Sequence, residues 1–301
     1  MEKLWSKNIK NVDSFEPKHI FECGQCFRWN LEKDGSYTGV VGNNVINVKK
    51  EYNDITIKGT FNDNIKDVCN RYFDLNTDYL KIKNELSKID DNLKTSVNYG
   101  EGIRILKQDV WETIISFIIS ANNNIPRIKG IIERLSQKYG KELSWNGNKY
   151  YTFPTIEELS KASVKELREL GLGFRDVRVF ETTRIIANKI VDIEELEEME
   201  DVEKLRIQLL RLPGVGPKVA DCIMLFSMKK FEVFPIDVWV KRVMKELYNE
   251  QIEKVKINDK NHFRYPKNSK ENQKILEFAN QKFGKIAGLA QQYLFYYRRE
   301  H

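Results

Sequence analysis

Apolar positions along this chain change period about a third of the way in. Tyr37 to Val48 is rich in β-branched residues and is broken by Gly42-Asn43-Asn44, the pattern of a hairpin. Asp54-Ile55-Thr56-Ile57-Lys58-Gly59 alternates polar and apolar side chains, which predicts another strand with one buried face. Asp78 to Leu86 has helical spacing and is expected to pack on that sheet. From about residue 100 the period is helical almost throughout. Trp111, Ile114, Ile115 and Ile118 make one wide apolar face, and Ile128, Ile131, Ile132 and Leu135 make another. Leu159, Leu167 and Leu170 fall on short helices that stop at Gly171, and Ile185, Ile186 and Ile190 mark one more. The acidic run Asp192 to Glu203 reads as a solvated helix face and loop, and the polar, breaker-rich run Asn258 to Lys270 as a surface loop. The last helix carries Ile286, Leu289, Ala290, Tyr293 and Leu294. These patterns predict an α+β chain. An N-terminal antiparallel β domain with one or two helices spans residues 1–98, and a mostly helical domain of two subdomains spans 99–301.

One junction between helices stands apart. Leu205, Leu209 and Leu212 run at helical spacing into Pro213-Gly214-Val215-Gly216-Pro217, and Val219, Cys222, Ile223 and Phe226 leave it at helical spacing. Two helices therefore meet within residues 204–228 at a turn too tight for side chains, which places glycine at 214 and 216. Pro217 suits the first turn of the outgoing helix, where the backbone has N–H groups to spare. Those N–H groups, the positive helix end and the Gly214-Val215-Gly216 turn can hold one phosphate oxygen. Lys218 lies one residue into the helix, close to whatever phosphate is held. A helix-hairpin-helix of this kind points to a grip on a nucleic-acid backbone.

Composition narrows this only slightly. A formal net charge of +6 and a pI near 8.9 permit a nucleic-acid partner without requiring one. The 41% hydrophobic content is enough for two or three packed units. Four cysteines, Cys23, Cys26, Cys69 and Cys222, are too sparse for a disulfide framework, so a reducing compartment is expected. There is no basic-then-apolar leader and no apolar run of about 18 residues. The expectation is a soluble intracellular protein, in the cytoplasm or nucleoid if prokaryotic, with no membrane partner. Cys23 and Cys26 have the spacing of a metal-binding pair, but no second pair completes a site.

Two side chains could carry chemistry. Lys218 is either a phosphate contact or a nucleophilic amine; the second needs the neutral form, which burial and the helix N-terminus both favour. Asp237 follows nineteen residues later in Val233-Phe234-Pro235-Ile236-Asp237-Val238-Trp239, within reach of one helix and a returning loop. Its carboxylate can stabilise a developing cation and shuttle protons, or cap the helix that begins near Val238, or do both.

From Leu210 to Arg242 the chain resembles the helix-hairpin-helix, Gly-Pro-Asp superfamily of base-excision DNA glycosylases. Within it the chain is most similar to the 8-oxoguanine DNA glycosylase/AP lyase family. The marks of that likeness are Gly24-Gln25-Cys26-Phe27-Arg28-Trp29, Ser120-Ala121-Asn122-Asn123-Asn124-Ile125-Pro126-Arg127, Leu170-Gly171-Leu172-Gly173-Phe174-Arg175 and Ala290-Gln291-Gln292-Tyr293-Leu294-Phe295. The resemblance implies a monomeric enzyme on double-stranded DNA containing 8-oxoguanine. Lys218 would attack C1′ and Asp237 would support the charged sugar, followed by a Schiff base and β-elimination. It also implies that Phe295 and Cys222 sandwich the extruded base, that Gln291 meets its Watson–Crick edge, and that the Gly24 carbonyl accepts from the N7–H peculiar to the lesion. Asn122 would fill the vacated gap, Arg127 and Arg175 would read the orphaned cytosine, and Phe174 would wedge the duplex.

No cofactor and no iron–sulfur cluster are expected, because the C-terminal four-cysteine cluster of some relatives is absent. A monovalent cation on the backbone carbonyls of Leu210, Leu212 and Val215 is implied by relatives. Two positions depart from the animal members of the family. Phe174 stands for a tyrosine, and Trp239 stands for a histidine near the lesion phosphate, a contact that Lys241 or Arg242 could supply. The competing readings are a lysine-using glycosylase for another damaged base and a non-catalytic DNA-binding hairpin.

Overall fold

A computed structural model describes residues 4–10, 12–60, 65–257 and 269–301. Strands β1 (Leu4–Ile9), β2 (Trp29–Leu31), β3 (Tyr37–Val41), β4 (Asn44–Glu51) and β5 (Asp54–Thr60) form one antiparallel sheet in the order β1-β5-β4-β3-β2. The predicted hairpin is β3–β4, with Val40 opposite Val45 across the Gly42-Asn43 turn. One sheet face buries Ile46, Val48, Ile55 and Ile57 against Ile20 and Phe21 of α1 (Pro17–Glu22) and Cys69 and Tyr72 of α2 (Ile65–Tyr72). Phe21 stacks on Trp29 with centroids 4.0 Å apart.

The next helices, α3 (Tyr79–Ser87) and α4 (Asp91–Tyr99), correct one expectation. Tyr79, Leu86, Leu93 and Val97 join the helical core, not the sheet, because α4 packs on the chain's last helix. That core centres on α5 (Val110–Ser120), whose side chains from Val110 to Ile119 are all buried apart from Glu112. Around it lie α6 (Ile125–Tyr139), a small hairpin of β6 (Glu142–Trp145) and β7 (Asn148–Tyr151), α7 (Ile156–Ser160), α8 (Val164–Glu169) and α9 (Asp176–Ala187). The β6–β7 hairpin has no counterpart in the sequence reading; its Trp145 packs on Val40 and Val45 at the back of the sheet. Thr155 with Glu158 and Ser163 with Glu166 form capping boxes that start α7 and α8. Ile190 lies past the end of α9 and is exposed.

The acidic run divides into α10 (Ile193–Glu198) and the start of α11 (Val202–Leu209). The chain ends with α12 (Pro217–Met228), α13 (Val238–Glu253), α14 (Lys270–Phe283) and α15 (Ala287–Glu300). Of the expected surface loop, 258–268 lie outside the described residues, and Lys270 opens α14.

Helices α11 and α12 are the predicted hairpin pair. Arg206 on α11 bonds Asp221 on α12 at 2.9 Å, with Glu203 on its other side at 2.8 Å. The Arg206–Asp221 pair is almost fully buried, so removal of Arg206 strands the Asp221 carboxylate, at about 3–5 kcal/mol. The two turn glycines differ. Gly214 has φ +90°, and a β-carbon there would lie 3.1 Å from Ile118 and from Arg178. Gly216 has φ −96°, and a β-carbon there would meet nothing within 4 Å. Only Gly214 is demanded by the turn, which corrects the reading of both as steric necessities. Gly214→Ala is therefore expected to lower unfolding free energy by about 1–3 kcal/mol in denaturant titration. Gly216→Ala should leave it unchanged; an equal loss at both positions would contradict this assignment.

Candidate active site

Lys218 and Asp237 reach one cavity from the N-terminal ends of two helices. The cavity has a volume of about 580 Å³ and is lined by Lys218, Cys222, Asp237, Gly24, Gln291, Phe295 and Asn122, among others. Lys218 is the second residue of α12, after Pro217 at its first position, and is half-buried. Its Nζ lies 5.2 Å from the centroid of the Phe117 ring on α5, within reach of the ring's negative face. Asp237 caps α13: its Oδ1 accepts from the Val240 N–H at 2.8 Å. Buried Phe234, Pro235 and Ile236 fix its approach. The cap holds the carboxylate in one place whether or not it has a second task. Cys222, one turn beyond Lys218, is buried. Burial pushes its thiol up to about 11, opposed by the charge of Lys218 beside it.

Gly24 has φ +88°, a conformation that favours glycine, and a β-carbon there would sit 3.7 Å from Phe295 Cε1. The loop around it is held from below by Gln25, which is fully buried. Gln25 Nε2 donates to the carbonyls of Ile20 at 2.9 Å and Arg104 at 2.7 Å, and its Oε1 accepts from the Leu106 N–H. Gln108 then donates to the Gln25 carbonyl at 2.7 Å, and its own N–H bonds the Phe226 carbonyl of α12 at 3.0 Å. A chain of hydrogen bonds thus joins the Gly24 loop to the helix that carries Lys218. On the outer side Arg299 of α15 donates to the Glu22 carbonyl at 2.5 Å and lies 5.7 Å from the Phe295 ring centroid.

Gln108, Arg299 and Gln292 also belong to this site, and the sequence reading did not single them out. Gln292 lies beside Gln291 on the cavity wall and donates to its Oε1 at 2.7 Å. The only sequence signal for it is its place inside the quoted Ala290 to Phe295 run.

The residues assigned to the opposite strand form the neighbouring surface. Asn122 sits in the α5–α6 turn with φ +50°. Arg127 is exposed, with Nη2 3.4 Å from the Gly171 carbonyl. Phe174 is 53% exposed, under the guanidinium groups of Arg175 at 4.2 Å and Arg178 at 5.1 Å. Arg175 departs from its expected place. It is only 2% exposed, and its guanidinium bonds the carbonyls of Ala121 at 2.6 and 2.8 Å, Asn122 at 2.7 Å and Leu172 at 3.2 Å. Its donors hold the backbone that bears Asn122 and are not presented to solvent.

Trp239 is exposed at the cavity wall, with Arg242 5.2 Å from its ring. Lys241 pairs with Glu271, so of the two expected substitutes for histidine the one beside Trp239 is Arg242. Cys23 and Cys26 are buried free thiols, and among the described residues no group of three or more metal-ligating side chains occurs. Nor is any described helix long and apolar enough to cross a membrane.

This is the architecture of a helix-hairpin-helix DNA-repair protein. The family model of the 8-oxoguanine DNA glycosylase N-terminal domain matches residues 8–114, and that of the HhH-GPD superfamily base excision DNA repair protein matches residues 115–267. The chain belongs to this family. It superposes on the 8-oxoguanine glycosylase/lyase of Clostridium acetobutylicum with a TM-score of 0.87 and 43% identity, covering 99% of this chain and 98% of that one. The same protein in complex with double-stranded DNA containing cytosine opposite 8-oxoguanine aligns with a TM-score of 0.87 and 42% identity, over the same shares of both chains. An N-glycosylase/DNA lyase of Saccharomyces cerevisiae is 32% identical over 256 residues, 76% of this chain and 67% of that protein.

The thiol offers a direct check on the Lys218–Cys222 neighbourhood. Because burial raises the thiol and the ammonium opposes the rise, alkylation of Cys222 should be slow near neutral pH and quicken toward pH 11. In Lys218→Gln the same curve should move to higher pH. A curve that does not move, followed by mass spectrometry of the Cys222 peptide, would separate the two side chains.

Proposed function

We propose that this chain is a bifunctional DNA glycosylase/AP lyase that removes 8-oxoguanine from double-stranded DNA, with Lys218 as nucleophile. The observation that carries the reading is the convergence of a lysine and a carboxylate, from two helix N-termini, on a cavity that also holds an amide and an aromatic ring. A base inside a duplex is out of reach, so the damaged nucleotide must swing out of the stack. The Gly214-Val215-Gly216 turn with the α12 N-terminus grips the backbone phosphate, and open space at Gly216 lets it approach. A monovalent cation on the carbonyls of Leu210, Leu212 and Val215 would stiffen that turn and add positive charge. The Leu212 carbonyl already accepts from the Val215 N–H and has one lone pair left.

In the pocket, Phe295 and Cys222 flank the base and Gln291 meets its Watson–Crick edge. The Gly24 carbonyl accepts from N7–H of the lesion and repels the N7 lone pair of guanine. An unpaired buried acceptor costs about 1–3 kcal/mol, enough for roughly a tenfold to hundredfold preference. Lys218 Nζ, its lone pair freed by loss of a proton, then forms a bond to C1′ while the bond from C1′ to the base breaks. The base departs with the electron pair and takes up a proton, and the nitrogen sheds one as it bonds. Asp237, held by its cap, stabilises the positive charge that develops on the sugar. Loss of the C1′–O4′ bond gives the Schiff base; removal of a C2′ proton then expels the 3′ phosphate. On the opposite strand Arg127 reads the orphaned cytosine and Phe174 wedges the step. Asn122 fills the gap, and Arg175 acts through it by holding its turn.

Borohydride should trap a covalent complex on an 8-oxoguanine duplex, and Lys218→Gln should abolish it. Stable binding by both proteins with no capture would instead favour a DNA-binding scaffold. Asp237→Asn keeps a competent helix cap, so the fold should persist while single-turnover base release slows by about 10²–10³-fold. Unchanged release would remove Asp237 from the mechanism.

A further inference from the structure

Gln291 and Gln292 are consecutive on α15, both line the cavity, and they are only 3% and 4% exposed. Gln292 Nε2 donates to Gln291 Oε1 at 2.7 Å. Gln292 Oε1 is buried and finds no hydrogen-bond partner among the described residues.

A carboxamide has an acceptor end and a donor end, and a half-turn about its last bond exchanges them. A single glutamine on a pocket wall can therefore present either end to a base. Here the bond from Gln292 takes only one lone pair of the Gln291 oxygen, but it fixes on which side that oxygen lies, and so leaves the NH₂ group as the end offered on the other side.

We infer that Gln292 is a positioning residue that fixes the sense of the Gln291 amide, so that the pocket selects a 6-oxo purine over a 6-amino purine. The inference rests on the reading that Gln291 meets the Watson–Crick edge of an extruded base. A 6-oxo purine brings an acceptor, O6, to the Gln291 NH₂, whereas a 6-amino purine brings a donor against a donor. The guanine-type edge also carries N–H donors at N1 and N2, and the unpartnered Gln292 Oε1 is an acceptor on the same wall. The adenine-type edge has an acceptor at N1 and no N–H at C2, so it leaves that oxygen unsatisfied.

Gln292→Glu tests this, because a carboxylate has nearly the same shape but only accepts. It draws the Gln291 NH₂ toward itself and turns the oxygen to the ligand. Gln292→Leu removes the lock without imposing the opposite sense. The measurement is single-turnover excision of 8-oxoguanine and of 8-oxoadenine from matched duplexes. Each rate is divided by that variant's strand cleavage at a preformed abasic site, which corrects for fold and lysine reactivity. The ratio of 8-oxoguanine to 8-oxoadenine excision should fall by about tenfold in the leucine variant and further in the glutamate variant. A ratio that keeps its wild-type value in the leucine variant, or in a folded glutamate variant, overturns the inference. Wild-type protein that releases neither purine, yet is trapped at abasic sites, overturns the 8-oxoguanine reading, and the inference with it.

Discussion

The position of α12 against α5 is the constraint from which the site follows. Every side chain from Val219 to Ser227 is buried, and α5 is buried along the surface it shares with that helix. A helix packed this way has no freedom to slide, because core side chains interdigitate at close-packed density. The Arg206–Asp221 pair adds a second tie, to α11, and leaves the hairpin turn as the one place where the chain can reverse. One face of α12 consequently lines the cavity, through Lys218, Cys222 and Phe226, and Lys218 stands in its first turn. The lysine is placed by the core behind it, and Phe117 from α5 forms the wall it faces.

The same logic separates what was legible in the chain from what was not. Periodicity located the β3–β4 hairpin, the buried helix α5 and both arms of the helix-hairpin-helix, because each buries one face with its own repeat. It also placed Asp237 at a helix start, where the sequence offers a capping residue just ahead of an apolar run. Amphipathic spacing says that a face is covered but not by what. The spacing from Asp78 to Leu86 therefore predicts a helix covered by the sheet, whereas its cover is the helical core. The β6–β7 hairpin is short and partly polar, so its strands leave little alternation to read.

Among the site residues, chemistry that depends on residue type was easier to foresee than chemistry that depends on neighbours. A lysine after a Gly-x-Gly-Pro turn and a carboxylate nineteen residues on are visible in one dimension. The clamp of Arg175 on the Ala121 and Asn122 carbonyls is not, since an arginine in a Gly-Phe-Arg run looks like any surface cation. Nor does the sequence say that Gln108 joins the Gly24 loop, bonding Gln25, 83 residues before it, to α12, bonding Phe226, 118 residues after it. Gly216 shows the reverse error: its residue type was explained by the turn, and its surroundings show open space.

One residue with left-handed backbone and one unsatisfied buried group lie where a ligand would enter. Asn122 adopts φ +50° without being glycine, and Arg175 supplies the hydrogen bonds that hold it there. Gln292 keeps a buried oxygen without a partner on the cavity wall. Both features cost folding free energy, on the order of 1–3 kcal/mol each, and neither is needed to close the core. A chain selected for stability alone would place glycine at 122 and an apolar residue at 292. Their presence beside a lysine and a capped carboxylate is the expected signature of a surface kept ready for something that arrives with its own hydrogen-bonding groups. An extruded base in a gapped duplex brings both kinds: a polar edge for the pocket and a vacancy in the stack for the turn.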